Sequence, residues 1–157
     1  MKIRNAEDKD VNGVLELLSQ VLEIHAELRP DIFISGTTKY SEEELFSIFK
    51  DNDRRTFVAV DDDDNVLGYA FCEIKKNNSQ NLVPFTTLYV DDLCVDKDYR
   101  GKGIAKSLFE YVKSQAAEFG CYDITLNVWD GNDVAKAFYE KVGMKPKSTQ
   151  MEYILKK

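Results

Sequence analysis

A chain of 157 residues, 43% of them apolar, fits one domain with a buried core, expected here to span residues 1–157. Acidic residues number 28 against 21 basic, and the net charge of −7 argues against nucleic-acid binding, which calls for a basic face. No stretch is apolar over the ~20 residues that a membrane span needs, and Met1 to Asp10 carries no apolar targeting segment, so a cytoplasmic setting without a membrane partner is expected.

Lys2 to Asn5 reads as a short strand. From Asp8 to about Leu28, Val11, Val14, Leu15, Leu18, Val21, Leu22 and His25 recur at helical spacing, and Pro30 stops the helix. Ser41-Glu42-Glu43-Glu44 opens a second helix, with Ser41 as N-cap and Glu44 closing a capping box. Thr56 to Val60 and Val66 to Ile74 flank an Asp61–Asn65 turn, and Thr86 to Val95 is a further strand. Gly103 to Phe119 has a helical apolar face (Ile104, Ala105, Leu108, Val112, Ala116, Phe119), and Gly120 suits the left-handed position beyond it. Tyr122 to Trp129 reads as a strand and Asp133 to Val142 as a helix closed by Gly143. Two short strands are expected at Met144 to Lys147 and Met151 to Leu155. The order β-α-α-β-β-β-α-β-α-β-β predicts an α/β fold: a mixed sheet with helices on both faces.

Cys72, Cys94 and Cys121 form no C-x-x-C pair and lie in strand-like runs, which predicts buried free thiols. Asp61, Asp63 and Asn65 imitate the start of a calcium loop. Val66 stands where its glycine belongs and Cys72 where its bidentate glutamate belongs, so no metal site is expected.

The segment that carries chemistry runs from Leu93 through Arg100-Gly101-Lys102-Gly103-Ile104-Ala105. A strand enters a glycine turn and passes directly into an amphipathic helix. Amides at a helix start lack internal partners and sit at the positive end of the dipole, so they suit a pyrophosphate. Gly101 and Gly103 allow close approach, while Arg100 and Lys102 add positive charge. Neither the dinucleotide G-x-G-x-x-G pattern nor the Walker loop fits.

This turn resembles the R-x-x-G-x-G/A motif of the GNAT N-acetyltransferase family, with Arg100, Gly103 and Ala105 on its fixed positions. Leu93-x-Val95 is similar to that family's pantetheine-binding strand. Asn127 to Asn132, Ala135 to Tyr139 and Gly143-Met144 resemble its segment ending in glycine and phenylalanine or methionine. The resemblance implies a mixed, mostly antiparallel sheet of six to seven strands with helices on both faces. It also implies acetyl-CoA as co-substrate, with no metal.

By the same resemblance, Arg100, Gly101, Lys102, Gly103, Ile104 and Ala105 would hold the pyrophosphate, and Leu93, Cys94 and Val95 the pantetheine. Asn132 would touch the cofactor, and Tyr139 would protonate the departing thiolate. The amine would attack directly, once a carboxylate had taken its proton. Asp91 and Asp92 stand at the right strand end and are expected on opposite faces, with Asp92 ranked first. His25 continues an apolar stripe and reads as a core histidine. Alternatively, His25, Arg29 and Asp31 line an acceptor pocket, as in similar family members. Relatives that acetylate ribosomal-protein N-termini carry glutamate where this chain has Asn127, which speaks against that substrate. The resemblance implies a small-molecule or peptide amine as acceptor, and a homodimer is compatible with the family. The rival reading is a non-catalytic acyl-CoA-binding or regulatory module on the same fold.

Overall fold

The computed structural model describes residues 1–156. They fall into two compact units that meet in sequence between Asn127 and Val128.

The first unit is built on five strands in the order β1-β2-β3-β4-β5. These are β1 (Lys2–Asn5), β2 (Arg54–Val60), β3 (Val66–Asn77), β4 (Phe85–Val95) and β5 (Asp123–Leu126). β1 to β4 pair antiparallel, and β5 joins β4 in parallel. Three helices cover the sheet: α1 (Val11–Leu28), α2 (Glu42–Lys50) and α3 (Ile104–Glu118).

Alternation along the strands builds a core on each face. On one face Val58, Val60, Tyr69, Phe71 and Cys94 pack with Val14, Leu17 and Leu18 of α1 and with Leu45 and Ile48 of α2. On the other, Phe57, Ala70, Cys72, Leu88 and Val90 pack with Val112 and Ala116 of α3. Ala59 and Val95 join Ile104 and Leu108 beside them. Two covered faces explain why these strands read as nearly continuous apolar runs.

The local signals act as the residues suggest. Glu44 N–H donates to Ser41 Oγ at 3.2 Å, and Ser41 N–H to Glu44 Oε2 at 2.7 Å, which completes the capping box. Gly120 has φ +69°, with Cys121 N–H bonded to the Ala116 carbonyl and Gly120 N–H to that of Ala117. That pair of bonds is the Schellman closure of α3.

The strand count is corrected from six to seven to five among the described residues. Residues 144–147 and 151–155 form no ladder. Their apolar residues favour a strand, but a strand exists only where its backbone groups meet a partner, and Pro146 removes one donor. β5 ends at Leu126 rather than Trp129, because the parallel ladder stops opposite Val90, where β4 bulges. Cys121 is half-buried in the turn after α3 rather than in a strand, while Cys72 and Cys94 are buried.

An ion pair locks β1 to the start of α1. Arg4 Nη1 and Nη2 reach Asp10 Oδ2 and Oδ1 at 2.6 and 3.0 Å, and Glu7 N–H donates to the same carboxylate at 2.7 Å. The Asp10 side chain is 1% exposed. Arg4→Ala strands that charge in the interior, and the expected loss of unfolding free energy is about 3–5 kcal/mol. Urea denaturation measures it; an unchanged midpoint would contradict this role for the pair.

Candidate active site

The glycine turn follows β4 and leads into α3. Gly101 and Gly103 both adopt positive φ, +77° and +81°, which an L side chain rarely takes, and no atom lies within 4 Å of where a Cβ would stand. The turn therefore presents bare backbone to open space. The first helical bond runs from Ser107 N–H to the Gly103 carbonyl at 3.0 Å. Among the described residues, no backbone carbonyl accepts from the amides of Gly103, Ile104, Ala105 or Lys106. Four donors and the positive end of the α3 dipole converge there, and that is the chemistry of an anion cradle. Arg100 Nε is tied to the Val95 carbonyl at 3.1 Å, so the arginine braces the turn against β4. Lys102 lies over the Tyr99 ring, 4.6 Å from its centroid.

β4 supplies the adjoining edge. β5 accompanies it only from Thr87 to Val90, so residues 91–95 pair with β3 alone. An unpaired edge that ends at an anion cradle offers backbone hydrogen bonds to an extended ligand arm. The Cys94 side chain takes no part: it is 5% exposed and its thiol points at the Leu17 carbonyl, 3.7 Å away. Burial pushes the Cys94 thiol up to about 12 and raises that of Cys72 as well. Neither is suited to nucleophilic attack.

The expectation that Asp91 and Asp92 face opposite ways is corrected by a β-bulge. The β3–β4 register shifts between Phe71 and Cys72, so that Phe71 faces Asp92, Cys72 faces Val90, and Asp91 is the extra residue. Inserting one residue resets the alternation and turns both carboxylates to the α1–α2 face. Tyr40 Oη donates to Asp91 Oδ2 at 2.9 Å and Tyr69 Oη to Asp92 Oδ2 at 2.6 Å. The rings of both tyrosines contact that of Phe71, at 5.5 and 4.8 Å between centroids. Lys39 Nζ donates to the same Asp91 oxygen at 2.8 Å. Asp91 also borders a cleft of about 320 Å³, counted to its open mouth, with Tyr40, Arg54, Phe71 and Glu73.

The two carboxylates differ electrostatically. Burial is the main cause that pushes Asp92 up to about 6; the Tyr69 hydrogen bond and the Lys39 charge oppose it, and the Asp91 charge adds to it. A carboxyl at that level is ionised at neutral pH yet basic enough to accept a proton, as a general base requires. The Tyr40 and Tyr69 hydroxyls are raised, chiefly by burial, and stay protonated as donors.

The end of α1 and the segment between α1 and α2 lie beside this face. His25 stacks on Phe33, with centroids 5.1 Å apart, and its pKa is lowered by partial burial and then by the Lys39 charge. Arg29 holds Asp31 through two bonds, Nε to Oδ1 at 2.8 Å and Nη2 to Oδ2 at 2.6 Å, in a pair at the surface. The residues that reach the carboxylates are Lys39 and Tyr40, which sequence reasoning missed, as it missed Tyr69. Tyr40 did leave a signal. It directly precedes the N-cap Ser41 and packs in the cluster that contains Leu45, the arrangement of a hydrophobic staple.

The second unit begins at Val128 and contains α4 (Asp133–Lys141). Asn132 caps this helix, its Oδ1 accepting from Ala135 N–H at 3.2 Å, so part of the side chain expected at the cofactor has a structural duty. Gly143, with φ +98°, closes α4: Gly143 N–H bonds the Glu140 carbonyl and Met144 N–H that of Tyr139. Phe138 and Tyr139 stack edge to face at 5.1 Å, and both rings are half-buried. Among the described residues, no group of three or more His, Cys, Asp or Glu could hold a metal ion, and no helix is long and apolar enough to cross a membrane.

Comparison with known proteins identifies the family. The model of the acetyltransferase (GNAT) family matches residues 19–144. The chain belongs to that family. A crystal structure of a mutant of the BH1408 protein from Bacillus halodurans is 32% identical, covers 99% of both chains and superposes with a TM-score of 0.94. The glucosamine 6-phosphate N-acetyltransferase of Arabidopsis thaliana is 38% identical over 63 residues, 40% of either chain. The peptidyl-lysine N-acetyltransferase YjaB of Salmonella typhimurium is 32% identical over 113 residues, 72% of this chain and 65% of the relative. The chain thus spans from two fifths to just under two thirds of these two relatives' lengths.

Proposed function

We propose that the chain is an acetyl-CoA-dependent N-acetyltransferase that passes the acetyl group to a primary amine by direct attack. The observation that carries this reading is the run of β4 itself. It offers paired carboxylates on a bulge and a one-sided strand edge, and the turn that follows it leads into a cradle of free amides at the start of α3. The pyrophosphate would rest on the amides of residues 101–105, braced by Arg100, and the pantetheine would run along Leu93 to Val95. A strand N–H would polarise the thioester carbonyl, a large contribution to acyl transfer. Asp92 takes the proton of the acceptor ammonium, whose ordinary pKa is ~10.4.

Tyr139 is assigned the role of acid to the CoA thiolate, and Asn132 a contact with the cofactor. The family match runs across the boundary at Asn127, which supports reading the chain as one acetyltransferase domain. The named relatives act on glucosamine 6-phosphate and on peptidyl lysine, both amine acceptors. A net charge of −7 keeps the protein soluble and is compatible with a cationic acceptor.

The test is CoA-thiol release across a panel of primary amines, repeated with Tyr139→Phe. This change keeps the ring and deletes only the hydroxyl. The expected result is turnover with at least one amine, and a variant with unchanged acetyl-CoA affinity but kcat lower by about 10-fold or more. Tight acetyl-CoA binding without turnover of any amine would favour the non-catalytic module.

A further inference from the structure

One amine already sits at the bulge, and it belongs to the chain. Lys39 Nζ donates to Asp91 Oδ2 at 2.8 Å, on the oxygen that also accepts from Tyr40. The same nitrogen lies over the Tyr40 ring, 5.5 Å from its centroid, and its charge lowers the pKa of both Asp92 and His25. The loop that carries it is fixed in place. Ser35 Oγ and Gly36 N–H both donate to the Glu23 carboxylate at 2.6 Å, and Thr38 Oγ1 donates to the Tyr40 carbonyl at 2.9 Å. Ser41 then caps α2. Lys39 is therefore presented by an ordered turn and not by a loose tether.

Its ion pair is open on one side, with the lysine side chain 46% exposed and that of Asp91 26% exposed. A pair so exposed is screened by solvent and contributes little, so Lys39 leaves Asp91 readily. Its flexible four-carbon stem then gives the nitrogen freedom to turn. Any amine acetylated at this site must reach the carboxylates of the bulge. Lys39 is a primary alkylamine held there by the fold, at an effective concentration far above that of a dissolved acceptor.

Resting on the acetyl-transfer reading above, we propose that Lys39 is itself an acetyl acceptor, modified by its own active site when no external amine occupies the bulge. The ammonium passes one proton to Asp92. The freed Nζ lone pair attacks the thioester carbonyl carbon, an N–C bond forms, and the C–S bond breaks with its electrons on sulfur. The second Nζ proton leaves as the amide forms and ends on the sulfur, so the products are an amide on Lys39, free CoA thiol and the one proton held by Asp92, which returns to solvent. The amide is neutral, so Asp91 loses its resident cation and its charge is uncovered for an incoming ammonium.

The experiment incubates the full chain with acetyl-CoA and no added amine, and follows acetylation by intact mass and peptide mapping. One acetyl group on Lys39 is expected, with a rate per molecule unchanged when the protein is diluted. The label should vanish in Lys39→Arg and slow by roughly 100-fold or more in Asp92→Asn. Equal labelling of many lysines, undiminished in Asp92→Asn, would overturn the proposal, as would a rate that rises with protein concentration. A preparation that acetylates external amines but leaves Lys39 bare overturns it while the proposed function stands. One that does neither overturns both.

Discussion

Gly103→Glu is expected to weaken acetyl-CoA binding by roughly 10²–10⁴-fold while leaving the fold intact. Gly103 stands at the mouth of α3 with φ +81° and open space where a Cβ would be, so the cost of a side chain to the protein is the left-handed backbone strain and not a clash at Cβ. The damage falls on the ligand. A carboxylate placed at four free amides competes for them and repels a pyrophosphate. Hydrogen bonds to charged groups contribute about 1.5–3 kcal/mol each. Losing two of them weakens binding by roughly 10²–10⁴-fold. Gly103→Ala separates the backbone from the charge, since it carries only the left-handed strain, about 1–2 kcal/mol. Titration calorimetry on both variants, with melting temperature as the check on folding, gives the comparison. Native affinity in the glutamate variant would remove the turn from the site.

How much of this could be read from residue order depends on the range of the interaction involved. The capping box at Ser41, the left-handed Gly120 and the amide cradle at Gly103 are local, and each was legible because its residues lie within a few positions. The face of Asp91 was not. It depends on a bulge, and a bulge is fixed by the β3 partner, nothing in the β4 residues alone announcing it. Lys39 was invisible for a similar reason. It lies 52 positions from Asp91 in a loop without periodicity, and only the docking of α2 brings the two together. The expected end strands failed in the reverse direction, since Met151 to Leu155 has strand propensity but no ladder partner among the described residues. The site was thus readable where backbone chemistry makes it and obscure where distant side chains complete it.

Asp92→Asn is expected to lower kcat by roughly 10²–10⁴-fold at neutral pH, the range for removing a general base, with acetyl-CoA affinity unchanged. The pH profile carries the assignment further. Burial pushes Asp92 up to about 6, and the base works only when ionised. Wild-type kcat should therefore fall with unit slope below about pH 6 and level off above it, and the variant should lose that limb. Stability should move the opposite way. The folded pKa lies above the ordinary carboxylate value of 3.8, so the fold favours the protonated form. That contribution is fully present below about pH 4 and is lost as pH rises through 6. Asparagine stays neutral throughout and still offers Tyr69 an acceptor. At pH 7 the variant should thus be more stable than wild type, by up to about 3 kcal/mol for a shift of about two units. At pH 3 the two should unfold alike. A residue kept only for packing would lose stability on substitution and leave kcat nearly intact, whereas a desolvated base loses kcat and gains stability. Urea denaturation at both pH values, set beside the kinetics, tells these apart. If Asp91→Asn shows the loss of kcat instead, the base is the bulged neighbour held by Lys39 and Tyr40.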